Sequence, residues 1–207
     1  AGRIDVARHA GNLLVAEDHE LALSKGMLID LKNTERKEHD SSITEQALLM
    51  IEQDSSLITR KTTVVYDESW HKGVIGIVAS RLIERYYRPT VVLTRSNGHV
   101  AGSARSVARF DLYQALASCS GLLDHFGGHK YAAGLTMKPE NIPAFQDRFE
   151  QVVSAPIAED LLVQQINIEA CIPLSHITPR FVRILSQFAP FGPQNLAPVF
   201  LTRGVRV

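Results

Sequence analysis

The sequence predicts an α/β fold built on a mixed sheet, and three observations lead there. A β-rich run, Thr62-Thr63-Val64-Val65-Tyr66, is followed by a helical stretch from Gly73 to Tyr87 with a broad apolar face, and then by a second β-rich run, Thr90-Val91-Val92-Leu93-Thr94. A helix crossing between two such strands makes them parallel neighbours. Asn97-Gly98 then joins the second run to His99-Val100-Ala101-Gly102-Ser103. Asn-Gly suits a tight hairpin, so the third strand runs antiparallel to the second. This sheet domain is expected over residues 58–155, flanked by N-terminal connector helices over 1–57 and by a partial C-terminal module over 156–207.

Residues 1 to about 57 read as helical. Leu13, Leu14, Leu21, Met27, Leu28 and Leu31 form an interrupted apolar stripe, followed by a charged run from Lys32 to Asp40. Ser41 and Ser42 are placed to cap a second helix, whose apolar positions Ile43, Ala47, Leu48, Met50 and Ile51 recur near the 3.6-residue period. A polar centre between apolar ends suits a connector whose ends dock on different bodies. After Asp54-Ser55-Ser56 the pattern turns β-rich, which sets the first boundary.

The Gly73–Tyr87 helix ends at Arg88-Pro89. Beyond the hairpin, Asp111 caps a helix running to about Ser120, and Leu135-Thr136-Met137 reads as a strand. Pro139 and Asn141 precede an amphipathic helix with Phe145, Phe149 and Val152 on one face. Ser154-Ala155-Pro156 reads as a linker. Further on, Gln164 to Ile172 alternates polar and apolar residues like a half-buried strand, Thr178-Pro179 starts a helix to Phe188, and Val199 to Val207 forms a last strand. The N-terminus, Ala1-Gly2-Arg3-Ile4-Asp5, carries no initiator Met and no leader pattern, as expected of a piece of a longer chain.

With 45% hydrophobic and 21% charged residues, the 207-residue chain has an ordinary globular composition, and no apolar run is long enough to span a bilayer. Cys119 and Cys171 make neither a disulfide framework nor a zinc spacing, so a reducing, cytoplasmic setting is the expectation. The formal net charge is zero but unevenly spread. Between residues 60 and 109, nine Lys and Arg face only Asp67, Glu68 and Glu84, a net charge of +6. Between 139 and 170, six acids face Arg148 alone. A basic central region can steer a polyanion while the whole molecule stays neutral.

The densest cluster of unusual residues is Gly127-Gly128-His129-Lys130-Tyr131-Ala132-Ala133-Gly134. Adjacent glycines open backbone angles closed to other residues and leave no side chain between the main chain and a bound group. Their amides are expected to form a concave cradle for phosphate, and His129 adds an imidazole donor. Gly-Gly also marks ordinary tight turns, and a lone histidine is commonly an exposed loop residue. Two basic, Gly-bearing stretches upstream, His71-Lys72-Gly73 and Gly102-Ser103-Ala104-Arg105-Ser106, favour the ligand site. Arg105 offers a planar fork of donors matched to phosphate, with Ser103 and Ser106 as neutral donors beside it.

Together these motifs resemble the RecJ exonuclease family of the DHH phosphoesterase superfamily, and the resemblance runs nearly end to end. Ala1-Gly2-Arg3-Ile4-Asp5 is similar to the close of that family's catalytic DHH domain, and Trp70-His71-Lys72-Gly73-Val74-Ile75-Gly76-Ile77-Val78-Ala79-Ser80-Arg81-Leu82 to the opening of its DHHA1 domain. The stretches at 102–106 and 127–134 match later DHHA1 motifs. Phe191-Gly192-Pro193-Gln194-Asn195-Leu196-Ala197-Pro198-Val199-Phe200 resembles the start of its OB-fold domain, with Gln194 and Leu196 departing from the commonest residues.

The resemblance implies 5′-to-3′ hydrolysis of single-stranded DNA in repair and recombination, assisted by two Mn²⁺ or Mg²⁺ ions held by the DHH domain. This chain contains no Asp-His-His and no His-x-Asp-x-Asp; its Asp-His pairs, Asp18-His19 and Asp124-His125, are followed by Glu20 and Phe126. The expectation is therefore a segment without its own metal site or nuclease activity, partnered by single-stranded DNA and, in the parent system, by single-strand-binding protein or a helicase. By resemblance Gly127, Gly128 and His129 hold the nucleotide near the scissile phosphate, Ser103 and Arg105 bind phosphate, and His71 is a weaker candidate for the same groove. Proton transfer by His129 stays open, since it depends on a distance that sequence does not give. Two other functions stay open as well: a non-catalytic nucleic-acid-binding module like the C-terminal domain of alanyl-tRNA synthetase, and an oligoribonucleotide or cyclic-dinucleotide phosphodiesterase of the same superfamily.

Overall fold

The computed structural model describes residues 3–205, in two compact units that divide between Val163 and Gln164. Ala1 and Gly2 of the N-terminal motif, and Arg206 and Val207 of the last predicted strand, lie outside the described residues.

Three helices open the first unit: α1 (Arg8–Leu14), α2 (His19–Gln53) and α3 (Ser55–Thr59). Asp18 caps α2, its carboxylate accepting from the amides of Glu20 and Leu21. The break expected before Ser41 is absent, and α2 runs unbroken for 35 residues. The charged run contains no Gly or Pro and is instead laced by near neighbours on one helical face, Lys32 with Glu35 at 2.8 Å and Arg36 with Asp40 at 3.7 Å. Ser41 and Ser42 are therefore interior helix residues rather than caps. Only the second half of α2 is packed, through Ile43, Ala47 and Ile51. Leu14, Leu21, Met27, Leu28 and Leu31 of the expected apolar stripe are exposed.

The β-α-β unit forms as predicted, with β1 (Thr63–Tyr66) and β2 (Thr90–Ser96) parallel across α4 (Ile75–Tyr86). Asn97 (φ 53°) and Gly98 (φ 79°) make the tight turn into β3 (His99–Arg105), antiparallel to β2. After α5 (Leu112–Ala117), capped by Asp111 onto the Gln114 amide, the chain returns as a second hairpin, β4 (His125–His129) and β5 (Ala132–Met137). The sheet order is β1-β2-β3-β5-β4, so β4 is an edge. This corrects the sequence reading of residues 127–134. The glycine pair is extended strand rather than a turn, and the turn falls at Lys130-Tyr131, anchored by the Leu112 amide on the Lys130 carbonyl and the Ser106 amide on that of Tyr131.

Side chains alternate across the sheet, so each face has its own core. On one face Val64, Val91, Leu93, Ala104, Leu135 and Met137 pack against α5 and α6 (Ile142–Ser154), with Phe145 and Phe149 fully buried and stacked at 5.6 Å. The buried face of α6 continues to Val153 and not, as expected, to Val152. Past the predicted linker, Ile157 is buried in this same core. On the other face Val65 and Val92 pack against α4 and the buried part of α2.

Polar contacts tie these layers together. Asp40 is buried, and its Oδ2 lies 2.7 Å from Arg81 of α4, joining α2 to the β-α-β unit. Arg88, buried at the end of α4, donates to Thr63 Oγ1 and to the carbonyls of Leu57, Ile58 and Arg60, which closes the helix-to-strand transition before β1. Glu150 of α6 accepts from the amides of Lys61 and Thr62 and from the hydroxyls of Thr62 and Ser154.

The second unit is small. Thr178 caps α7 (Pro179–Ser186), as predicted, and Phe181 meets Phe200 edge-on at 5.4 Å. The two predicted strands shrink to β6 (Ala170–Cys171) and β7 (Phe200–Leu201), paired in parallel. Ile166 and Ile168, which were to face a core, are exposed. Among the described residues no helix is long and apolar enough to cross a membrane.

Glu150 generates a pH prediction. Burial raises its pKa, but the hydrogen bonds from Ser154, Thr62 and the two amides outweigh burial and hold it below the ordinary value of 4.5. A carboxylate depressed in the folded state adds stability above its unfolded pKa and loses it as pH falls through the folded one. The unfolding free energies of wild type and Glu150→Gln, measured by denaturant titration, will differ most near neutral pH and converge as pH falls below 4.5. A difference that stays constant down to the acid transition contradicts this.

Candidate nucleic-acid interface

Strand register decides which residues share a surface. On the α4 side of the sheet, Ser103 of β3 lies opposite Gly134 of β5, and Gly134 lies opposite Gly127 of β4. The row on one side is Arg105, Ala132 and His129; the row on the other is Ala101, Thr136 and His125. Helix α4 packs on β2 and β3, while Gly127, Gly134, His125 and His129 stay exposed. The uncovered half of this face is a shelf floored by small residues and bounded by the start of α4. A cavity of about 450 Å³ sits there, lined by Lys72, Gly76, Ser103, His125, Gly127 and Gly134 among others.

Glycines make this space in two ways. At Gly76, in the first turn of α4, an added Cβ would lie 2.9 Å from both the Ser103 hydroxyl and an Arg105 guanidinium nitrogen, so a side chain there would displace both polar groups. Gly127 and Gly134 meet almost nothing, with no heavy atom within 4 Å of a Cβ at Gly127 and only the Gly102 carbonyl at 3.9 Å from one at Gly134. They keep the floor low without being required by the fold. Gly128 differs from both. Its side faces the packed layer, its φ is 150°, and a Cβ there would collide with the Ala132 carbonyl and sit 2.5 Å from Ala133 Cα.

Arg105 borders this cavity, beside two residues that line it, Ser103 and Gly76. Its Nη1 donates to the Ser103 hydroxyl at 3.1 Å and to the Ala104 carbonyl at 2.8 Å, which fixes the fork beside the serine. Partial burial, and then the positive charge of Arg3, lower its pKa, although a guanidinium remains charged at any physiological pH. No carboxylate pairs with Arg105 among the described residues. Two like charges brought together without a counter-charge form a site whose stability rises when an anion enters. Arg3 arrives because its backbone crosses the start of α4. Its carbonyl occupies the space that a Gly73 side chain would fill, and Ile4 joins the α2–α4 core.

Ser103, Arg105, Gly127 and His129 thus come together on one face, as the sequence predicted, but by strand pairing and not through a concave loop. His129 stands at the rim, about two strand spacings or 10 Å from Arg105 along its row, with Nδ1 accepting the Tyr131 amide at 3.3 Å. Gly128 supports the hairpin from behind. His71 is not in this cavity. Its Nδ1 accepts the Gly73 amide at 3.0 Å, and its ring faces His39 in a neighbouring groove. Lys72, His125, Gly76 and Arg3 complete the site and were not selected from sequence. Reading residues 125–129 as a strand would have found His125, two residues from Gly127 on the same face.

The family model of the DHHA1 domain matches residues 59–155, and that of the RecJ OB domain matches residues 168–207. The single-stranded-DNA-specific exonuclease RecJ of Bacillus subtilis is 35% identical over 95% of this chain and 25% of its own length. The RecJ of Thermus thermophilus is 30% identical over 99% of this chain and 29% of its own. The chain belongs to the RecJ family. In three dimensions it matches the crystal structure of Thermus thermophilus RecJ in complex with Mn²⁺ with a TM-score of 0.81, at 30% identity, covering 98% of this chain and 30% of that one. A second RecJ crystal structure, bound to manganese, matches with a TM-score of 0.66 over 75% of this chain and 38% of its own. The chain spans between 25% and 36% of the length of the curated RecJ relatives it matches.

The glycine geometry separates folding from binding. Gly134→Val fills the shelf with a strand-favouring residue, so its melting temperature will stay within a few degrees of wild type while binding of a phosphorylated oligonucleotide is lost. Gly128→Ala will cost about 2 kcal/mol or more, because a Cβ there collides with backbone at a positive φ. Thermal melts and a binding titration of both variants check this. Loss of stability in Gly134→Val, or none in Gly128→Ala, contradicts the assignment.

Proposed function

We propose that this chain is the substrate-positioning part of a single-strand-specific 5′-to-3′ exodeoxyribonuclease of DNA repair and recombination, and that its shelf holds the 5′-terminal phosphate of the strand. The observation that carries the proposal is Arg105. It is half-buried, oriented by Ser103, close to Arg3 and without a carboxylate partner among the described residues. A guanidinium fork with a hydroxyl beside it matches two phosphate oxygens and a third acceptor. Lys72 adds charge, the low glycine floor lets the sugar-phosphate lie against the sheet, and the edge strand β4 offers unpaired backbone donors. His129 borders the next position along the row.

The relatives crystallised as RecJ hold Mg²⁺ or Mn²⁺, and we assign such ions to the whole enzyme. The described residues of this chain offer such ions no cluster of ligands. Among the described residues no three His, Cys, Asp or Glu side chains converge as a metal site. No chemical step is therefore drawn through a metal here, and the contribution of these residues is binding and orientation. The match to the RecJ OB domain favours the exonuclease over a dinucleotide phosphodiesterase of the same superfamily. A cytoplasmic setting is consistent with two unpaired cysteines, Cys119 being buried with its thiol pKa pushed up to about 11 and Cys171 exposed.

Arg105→Ala will weaken binding of 5′-phosphorylated single strands by about 10- to 100-fold, the worth of a charged hydrogen-bond pair, and of 5′-hydroxyl strands far less. Fluorescence anisotropy with matched oligonucleotides measures both. Equal losses for the two ends remove the terminal-phosphate role and leave only general backbone contact.

A further inference from the structure

We infer that a second nucleotide subsite lies across Lys72 from the shelf, where the ring faces of His39 and His71 receive a base and Lys72 with Arg95 receives the phosphate between the two sites. The inference rests on the terminal-phosphate reading above and says where the strand goes next.

Two cavities adjoin the shelf, and Lys72 lines both of them as well as the shelf itself. One, of about 280 Å³, has Asp124 in its lining, with its carboxylate 3.2 Å from His99 Nδ1. A polyanion entering there meets a negative charge. The other, of about 440 Å³, is lined by His39, Ser42, Gln46, His71, Lys72 and Arg95 among others and by no carboxylate. Its volume is that of a small-ligand pocket and comparable to the shelf. Arg95 does pair with Glu68 at 3.2 Å, but both groups are largely exposed, and such a pair holds an arginine only weakly against a phosphate. The charge along the rim therefore selects this second groove.

Its walls also fit a base. The His39 and His71 rings lie nearly parallel, with centroids 5.9 Å apart and planes 23° from each other, and both residues are exposed. Two rings stacked in this way turn one face each toward the other and leave the outer faces exposed, and a base stacks on such a face whatever its sequence. The His71 ring is held in place because its Nδ1 accepts the Gly73 amide at 3.0 Å. Helix α2 supplies His39 only because it continues unbroken through the charged run. Gln46 is engaged by Trp70 Nε1 at 2.9 Å, which ties the helix to the loop carrying His71.

The test uses the full chain with deoxythymidine 5′-monophosphate and a 5′-phosphorylated octanucleotide of deoxythymidine, with affinities read by anisotropy competition. His39→Ala will bind the octanucleotide about tenfold more weakly, the loss expected for one stacked base, and the mononucleotide as wild type does. His39→Phe, which keeps a flat ring, will bind both as wild type does. An unchanged octanucleotide affinity in His39→Ala, an equal loss for both lengths, or failure of His39→Phe to restore binding overturns the subsite while leaving the phosphate site standing. Failure of the wild-type chain to bind the mononucleotide overturns the terminal-phosphate reading and this inference with it.

Discussion

The register of the β3–β5–β4 ladder governs what this molecule presents to a ligand. Because Ser103, Gly134 and Gly127 fall in one cross-strand row, and Arg105 and His129 in the next, motifs separated by more than twenty residues in sequence become a single surface. Sliding β4 by one residue would turn Gly127 and His129 into the packed layer and bring Gly128 onto the shelf. Gly128 resists that slip, since its close approach to Ala132 and Ala133 leaves no room for a side chain on the packed side. Helix α4 then covers only part of the face, and the sheet that extends beyond it is the proposed binding surface.

Supporting contacts hold α4 and the sheet at the distance the shelf requires. The Arg81–Asp40 pair fixes α4 against α2, and the buried Arg88 guanidinium gathers the carbonyls of the segment leading into β1. Glu150 fastens α6 of the opposite layer to the same segment. Asp40 and Arg88 are buried while Arg81 and Glu150 reach the surface, and of the buried side-chain polar atoms only Asp40 Oδ1 has no partner among the described residues. Arg105 differs in that, among the described residues, only its Nη1 is engaged, by the Ser103 hydroxyl and the Ala104 carbonyl. On the proposed function, an anionic ligand supplies Arg105 with the counter-charge that the described residues do not.

Much of this organisation could be read in the sequence, because local chemistry dictated it. The β-α-β unit followed from apolar periodicity, the β2–β3 turn from Asn97-Gly98, and the caps of α5 and α7 from Asp111 and Thr178. Ser103 and Arg105 were singled out by their donor geometry, and the fold places their side chains within hydrogen-bond reach of each other. What failed was reading glycine as turn. The Gly127-Gly128 pair is extended strand, since the glycines serve close packing on one face and an open floor on the other, and that need is visible only once β5 lies alongside. The α2 break failed for a related reason. A run of charges looks like an interruption until its side chains are seen to pair along the helix and, at Asp40, across to α4. Lys72 and Arg3 escaped selection because their place in the site depends on chain crossings far from either residue.

The central claim is that the α4-side shelf is where the phosphate end of a single strand binds. The most direct measurement is a titration of the isotope-labelled chain with a 5′-phosphorylated deoxyoligonucleotide, followed by amide and arginine side-chain NMR shifts. The account predicts that the amides of Ser103, Gly127 and Gly134 and the Arg105 guanidinium shift together with one dissociation constant, at the lowest ligand concentrations. Shifts confined to other faces, such as the cavity between α5 and α6 beside Gln114 and Ser118, with these residues unmoved at saturation, would contradict it.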